Sequence, residues 1–189
     1  MLQPERSLEL VQLAISLDTA PPMAVPKGFA RSPNLETHER VLAELPALLE
    51  PIATYHEDFR KAALNLLWAL HRKVGRINDN AQNDPLATIG RVAKYQARHP
   101  ITAPLGVVDW LGEQLAGPHA AEFCDRNLPV LSVILKPVFE RDVEDNFSTG
   151  RMFTFRTLPL SVTNTRKIRE RALKLLTDLV IPRGELATL

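Results

Sequence analysis

The chain has 189 residues, 45% hydrophobic and 24% charged, a globular balance that can bury roughly 70% of the unfolded surface. Lysine and arginine number 23 against 22 acidic residues, so the formal charge of +1 gives no global bias toward nucleic acid or an acidic partner, leaving only local patches. Cys124 is the single cysteine, which excludes an intrachain disulfide and a cysteine-based zinc cluster.

The opening MLQPERSLEL carries acidic residues early and has no apolar core of signal-peptide type. No stretch reaches the roughly 18 consecutive apolar residues of a membrane span, so a cytoplasmic, membrane-free protein is expected. Residues 5 to 18 have the pattern of a first helix. Leu8, Val11 and Ile15, together with Leu10, Leu13 and Leu17, spread apolar side chains over a wide arc. Such a helix is either the inner member of a stack or leans on something outside this chain. Pro21, Pro22, Pro26, Gly28 and Pro33 then mark an extended connection.

Helical periodicity resumes near Thr37, with Val41, Leu45, Leu48, Leu49 and Ile52 in one phase through Pro46. The proline either kinks this helix or opens a new one. Tyr55-His56 is a short polar break, and His56-Glu57-Asp58 reads as a solvated turn because it lacks the spacing of a metal site. The stretch from Phe59 to Gln96 is the most regular. Phe59, Ala62, Ala63, Leu66, Leu67 and Leu70 fall on one helical face, and Gly75 stands where a C-cap is wanted. An Asn/Asp turn follows, without the glycine and glutamate that a calcium loop requires. Asp84 as N-cap and Pro85 at the first position then start a helix that buries Leu86, Ile89, Val92 and Ala93.

Ala97-Arg98-His99-Pro100 is a helix end. Another helix from about Ala103 carries Val107, Val108, Leu111 and Leu115 inward and stops at Gly117-Pro118. His119 to Arg126 is a short helical piece in which Cys124 lies near His119 and Glu122, but a five-residue separation puts cysteine and histidine on different faces. Cys124 therefore reads as a small buried side chain. Leu128 to Val138 is a densely apolar helix that Pro137 stops or kinks. From Phe139 the period shifts towards two on either side of Ser148-Thr149-Gly150, which predicts a β-hairpin over about 139–158. A last helix, about Asn164 to Val180, is expected to bury Ile168, Ala172, Leu175, Leu176 and Leu179.

The fold class expected is mostly α, a HEAT-like solenoid of paired antiparallel helices with that hairpin inserted, in a single module over 1–189. The end at Gly184–Leu189 offers no evident polar cap, so continuation into something larger is expected. The run AALNLLWALHRKVGRINDNAQNDPLATIGRVAKYQ, and LPVLSVILKPVFERDVEDNFSTGRMFTFRTLPLSV leading into TRKIRERALKLL, resemble the helical regions of large bacterial STAND-like P-loop NTPases. The likeness covers roughly residues 40 to 180. It implies a scaffold within a multidomain regulatory or defence-related ATPase. The ATPase would lie elsewhere, because none of the eight glycines here stands in a Gly-x4-Gly-Lys-Ser/Thr context.

No polar cluster has active-site spacing, so the sequence predicts a non-catalytic scaffold without metal or cofactor that binds a protein or an adjoining domain. Trp68 lies off the main stripe of its helix and Trp110 beside its own; both lean towards exposure and are candidate hydrophobic contacts as well as packing residues. The one local charge anomaly is Arg166, Lys167, Arg169, Arg171 and Lys174, with Arg151 and Arg156 before it. Lys167, Arg171 and Lys174 share a face opposite the leucine stripe, making Arg166, Lys167, Arg171, Lys174, Arg151 and Arg156 candidate contacts to a partner or to nucleic acid. The plainer reading is a solvated face partly compensated by Glu170 and Asp178.

Overall fold

A computed structural model describes residues 3–17, 33–74, 83–96, 98–124, 130–140 and 160–181. These are mostly helical, and no strand occurs among them. The chain divides into two compact units, Met1–Thr88 and Ile89–Leu189, where the sequence reading takes one module.

The first unit holds α1 (Pro4–Ser16), α2 (Pro33–Tyr55) and α3 (Glu57–Val74), each packed on the other two. His38 of α2 reaches Ala14 O near the end of α1, and Lys73 near the end of α3 reaches the same region, so the helices run up, down and up. α2 neither ends nor restarts at Pro46; it continues through both Pro46 and Pro51. A proline inside a helix costs about 3 kcal/mol. Burial of Leu42, Leu45, Leu49 and Ile52, at about 1.5–3 kcal/mol each, outweighs two of them. Val41 and Leu48, expected in the same buried phase, are exposed instead, because the core of α2 is centred on Leu45, Leu49 and Ala53.

On α3 the buried face is turned from the expected one. Ala63, Leu66, Leu67 and Leu70 are buried, but so are Arg60, Leu64 and Trp68, while Ala62 is exposed. The turn follows from Arg60, which is only 5% exposed. Its Nε donates to Ala53 O at 2.8 Å and its Nη2 to Thr54 O at 3.3 Å, capping α2. The last carbonyls of a helix have no partner within it, and a basic side chain supplies one. Lys73 does the same for α1, donating to Ile15 O and, at 2.5 Å, to Leu17 O.

The Asp84-Pro85 start is as the sequence predicts. α4 (Pro85–Ala93) opens with Leu86 N donating to Asp84 Oδ1 at 3.1 Å, and Thr88 returns both N and Oγ1 to Asp84 O at 2.9 Å. Gly75 and most of the Asn-rich turn lie outside the described residues.

The second unit holds α5 (Thr102–Ala116), the four-residue α6 (Ala120–Phe123), α7 (Val130–Phe139) and α8 (Leu160–Leu175), which runs into a π-helical turn, Leu176–Val180. Val107, Val108, Leu111 and Leu115 of α5 are fully buried, as expected. Pro137 lies inside α7 rather than ending it. Its ring nitrogen cannot donate to Val133 O, and a Cβ on Gly90 would sit 3.0 Å from that oxygen and 3.2 Å from the proline Cγ. The glycine thus lets a helix backbone come close to the carbonyl that the proline cannot serve. Phe139, expected to open a hairpin, is the last residue of α7, and Glu140 N still donates to Lys136 O at 3.0 Å. The rest of the hairpin span lies outside the described residues. Arg169 of α8 caps α7 through Val138 O and Glu140 O, both at 2.9 Å. α8 starts at Leu160, earlier than the expected Asn164, and Ile168, Ala172 and Leu175 are buried while Leu176 and Leu179 are half-buried beside Val180 in the π-helical turn.

Candidate functional site

The two leucine sets of α1 take different fates. At about 3.6 residues per turn they centre on opposite sides of the helix. Leu8, Val11 and Ile15 are buried against α2 and α3. Leu10, Leu13 and Leu17 face outward at 57%, 58% and 51% exposure. Scattered exposed leucines are ordinary; three aligned at i, i+3 and i+7, the last of them the C-cap of a short helix, make a stripe of the kind another helix covers.

Beside this stripe an open groove of about 760 Å³ runs between α1 and α3. α1 contributes Leu8, Glu9, Gln12, Leu13 and Ser16, and α3 contributes Ala62, Asn65, Leu66 and Ala69. The floor is largely apolar and its small alanines allow close approach of a backbone. Ala62 is the residue that the sequence placed in the core of α3. It lines the groove because the face of α3 that meets the core is turned towards Arg60, Leu64 and Trp68. Glu9 is the one ionisable group in the lining, and Lys73, one turn of α3 beyond Ala69, stands at the end where α1 terminates. On α2, Val41, Leu48 and Tyr55 add an exposed apolar row at intervals of seven.

The tryptophans do not lean outward. Trp68 is 6% and Trp110 is 2% exposed, so of the two expected roles both take the packing one, and the reading of outward-leaning contact residues is corrected. Trp110 meets Phe123 edge to face with centroids 5.8 Å apart, which links α5 to α6. Trp68 stacks on His71 at 5.4 Å. His71 Nδ1 is buried without a hydrogen-bond partner among the described residues. Burial holds the His71 pKa below the ordinary imidazole value, against the pull of Asp84 in the other direction.

The basic face is mostly spoken for. Arg166 Nε pairs with Glu170 at 2.8 Å and Lys174 Nζ with Asp178 at 2.7 Å. Arg171 reaches across to α5, with Nε and Nη2 at 3.1 and 2.7 Å from Asp109 Oδ1. Asp109 lies on another helix, and no local pattern in the sequence points to it. Arg169 is occupied as the cap of α7. Among the described residues Lys167 alone of this set makes neither an ion pair nor a side-chain hydrogen bond, and Arg151 and Arg156 lie outside them. The shallow groove here, about 400 Å³, is lined by Leu105, Asp109, Lys167, Glu170, Arg171 and Lys174, three bases against two acids. These pairs are exposed and each contributes no more than about 1 kcal/mol. Their effect is to weaken the field that would attract phosphates.

His119 Nδ1 pairs with Glu122 Oε1 at 2.8 Å, and Cys124, expected as a buried side chain, is half-buried directly after the helix. Among the described residues no three His, Cys, Asp or Glu side chains stand together as a metal site, and no helix is long and apolar enough to cross a membrane. The chain matches no protein-family model, no curated protein and no solved structure.

Proposed function

We propose that this chain is a non-catalytic helical scaffold, HEAT-like in kind, that holds another protein or an adjoining domain on the outward side of α1. The observation that carries this reading is the stripe Leu10, Leu13 and Leu17 lying opposite the core face of the same helix, beside an apolar groove. A helix apolar on two opposite sides is an inner helix that lacks one neighbour. The resemblance to helical regions of STAND-like NTPases supports a scaffold role of the same sort, in which recognition comes from surface complementarity along packed helices.

The test is site-specific photocrosslinking in cells expressing the full chain, with a photoreactive residue at position 10 and, as control, at the exposed Lys136. A discrete protein adduct from position 10 that disappears with Leu13→Asp supports the proposal. Equal or absent adducts at both positions, or turnover of a substrate abolished by one polar substitution without unfolding, overturn it.

A further inference from the structure

We infer that the helix covering the leucine stripe is α1 of a second copy of this chain, antiparallel and related by a two-fold axis beside Leu13. This rests on the reading of the α1–α3 surface as a docking face and names its occupant. Leu10 lies three residues before Leu13 and Leu17 four residues after it, so the stripe is close to symmetric about its middle member. An antiparallel copy centred there sets Leu13 against itself and Leu10 against Leu17 of the second copy, which buries all three from each side.

Charge selects the same arrangement. In this register Glu9 comes level with Leu17 of the second copy. That is the end of α1 where Lys73 Nζ rests on the Leu17 carbonyl, 2.5 Å away. Glu9 projects on the groove side of α1, the side from which α3 carries Lys73. Opposite charges therefore meet twice, once at each end of the seam, and the helix dipoles oppose as well. A parallel copy would set Glu9 beside Glu9 and Lys73 beside Lys73. The groove supplies the room, since Ala62 and Ala69 leave space next to the stripe for the second helix. Three half-exposed leucines per copy make a modest seam, so association on the order of micromolar is expected.

Sedimentation velocity of the full chain from about 1 to 300 µM should show a monomer–dimer equilibrium. Leu13→Asp should weaken it on the order of 100-fold or more, with an unchanged circular dichroism spectrum because Leu13 is 58% exposed. Register is read independently by cysteine pairing in a Cys124→Ser background. Leu13→Cys should crosslink with itself and Leu10→Cys should not, whereas Leu10→Cys mixed with Leu17→Cys should. A wild type that stays monomeric throughout overturns the inference, as does a dimer indifferent to Leu13→Asp. Self-crosslinking of Leu10→Cys as efficient as that of Leu13→Cys would reveal a parallel seam and overturn it too. A photoadduct at position 10 of mass other than twice 21.1 kDa, from a monomeric chain, removes the second copy and leaves the docking face standing. No adduct at all removes both.

Discussion

Replacing Arg60 with methionine keeps the length and apolar stem of the side chain and removes its donors. The guanidinium is 5% exposed and holds Ala53 O at 2.8 Å and Thr54 O at 3.3 Å, and neither Ala53 nor Thr54 is reached by solvent to more than 2%. A hydrogen bond from a charged donor contributes about 1.5–3 kcal/mol, and a buried carbonyl left without a partner costs about 1–3 kcal/mol. Against this, methionine escapes the desolvation that lowers the pKa of Arg60, an effect that Glu57 only partly offsets. The net loss expected is about 2–4 kcal/mol, a large part of the roughly 5–15 kcal/mol that holds a domain together. Urea unfolding should be followed by the fluorescence of Trp68 in a Trp110→Phe background, because the second unit then contributes no tryptophan signal. Arg60→Lys should fall between the two, since it keeps the charge with one well-placed donor. A loss below about 0.5 kcal/mol for Arg60→Met, the scatter of an ordinary surface change, would refute the capping role.

Gly90→Ala places a methyl 3.0 Å from Val133 O and 3.2 Å from the Pro137 ring. The crowding, about 1–3 kcal/mol, should exceed the roughly 1 kcal/mol gained in helix propensity, giving a lower melting temperature; an unchanged or higher one would show that α7 yields freely. His71 has a folded pKa below its unfolded one, so its contribution is intact above about pH 6.5 and is lost as pH falls, when the unfolded chain takes up the proton first. Stability measured between about pH 7 and pH 5 should therefore fall less steeply in His71→Leu than in the wild type, and parallel slopes would contradict this. Because Arg166, Arg171 and Lys174 face carboxylates, duplex DNA should bind weakly even at low salt, and Lys167→Glu should change the salt dependence by at most about one phosphate contact. Tight binding with a steep salt slope would restore the nucleic-acid reading.

Much of the helical frame was legible in the sequence because apolar period and cap chemistry act locally. Asp84-Pro85 and the α5 stripe of Val107, Val108, Leu111 and Leu115 needed no knowledge of neighbours. What was not legible depends on residues far apart in the chain. Nothing local says that Arg60 turns inward to end α2, and with it the face of α3 that meets the core rotates towards Leu64 and Trp68. Continuity of α2 through Pro46 and Pro51 is likewise set by what the helix buries, not by its propensity. The basic face of α8 was visible, but Asp109 lies 62 residues from Arg171 and its pairing could not be read from spacing. The outward stripe of α1 was present as an excess of apolar width, and only its partition between a covered and an uncovered side required the fold.

The capping by Arg60 and Lys73 also orders events during synthesis. α1 and α2 emerge with their last carbonyls unpaired, and the groups that satisfy them both arrive on α3, the second of them at residue 73. The first unit therefore cannot acquire its final stability helix by helix. Until the third helix has cleared the ribosome the nascent chain carries two open helix ends and both leucine faces of α1 uncovered, which is the interval in which a chaperone has most to hold.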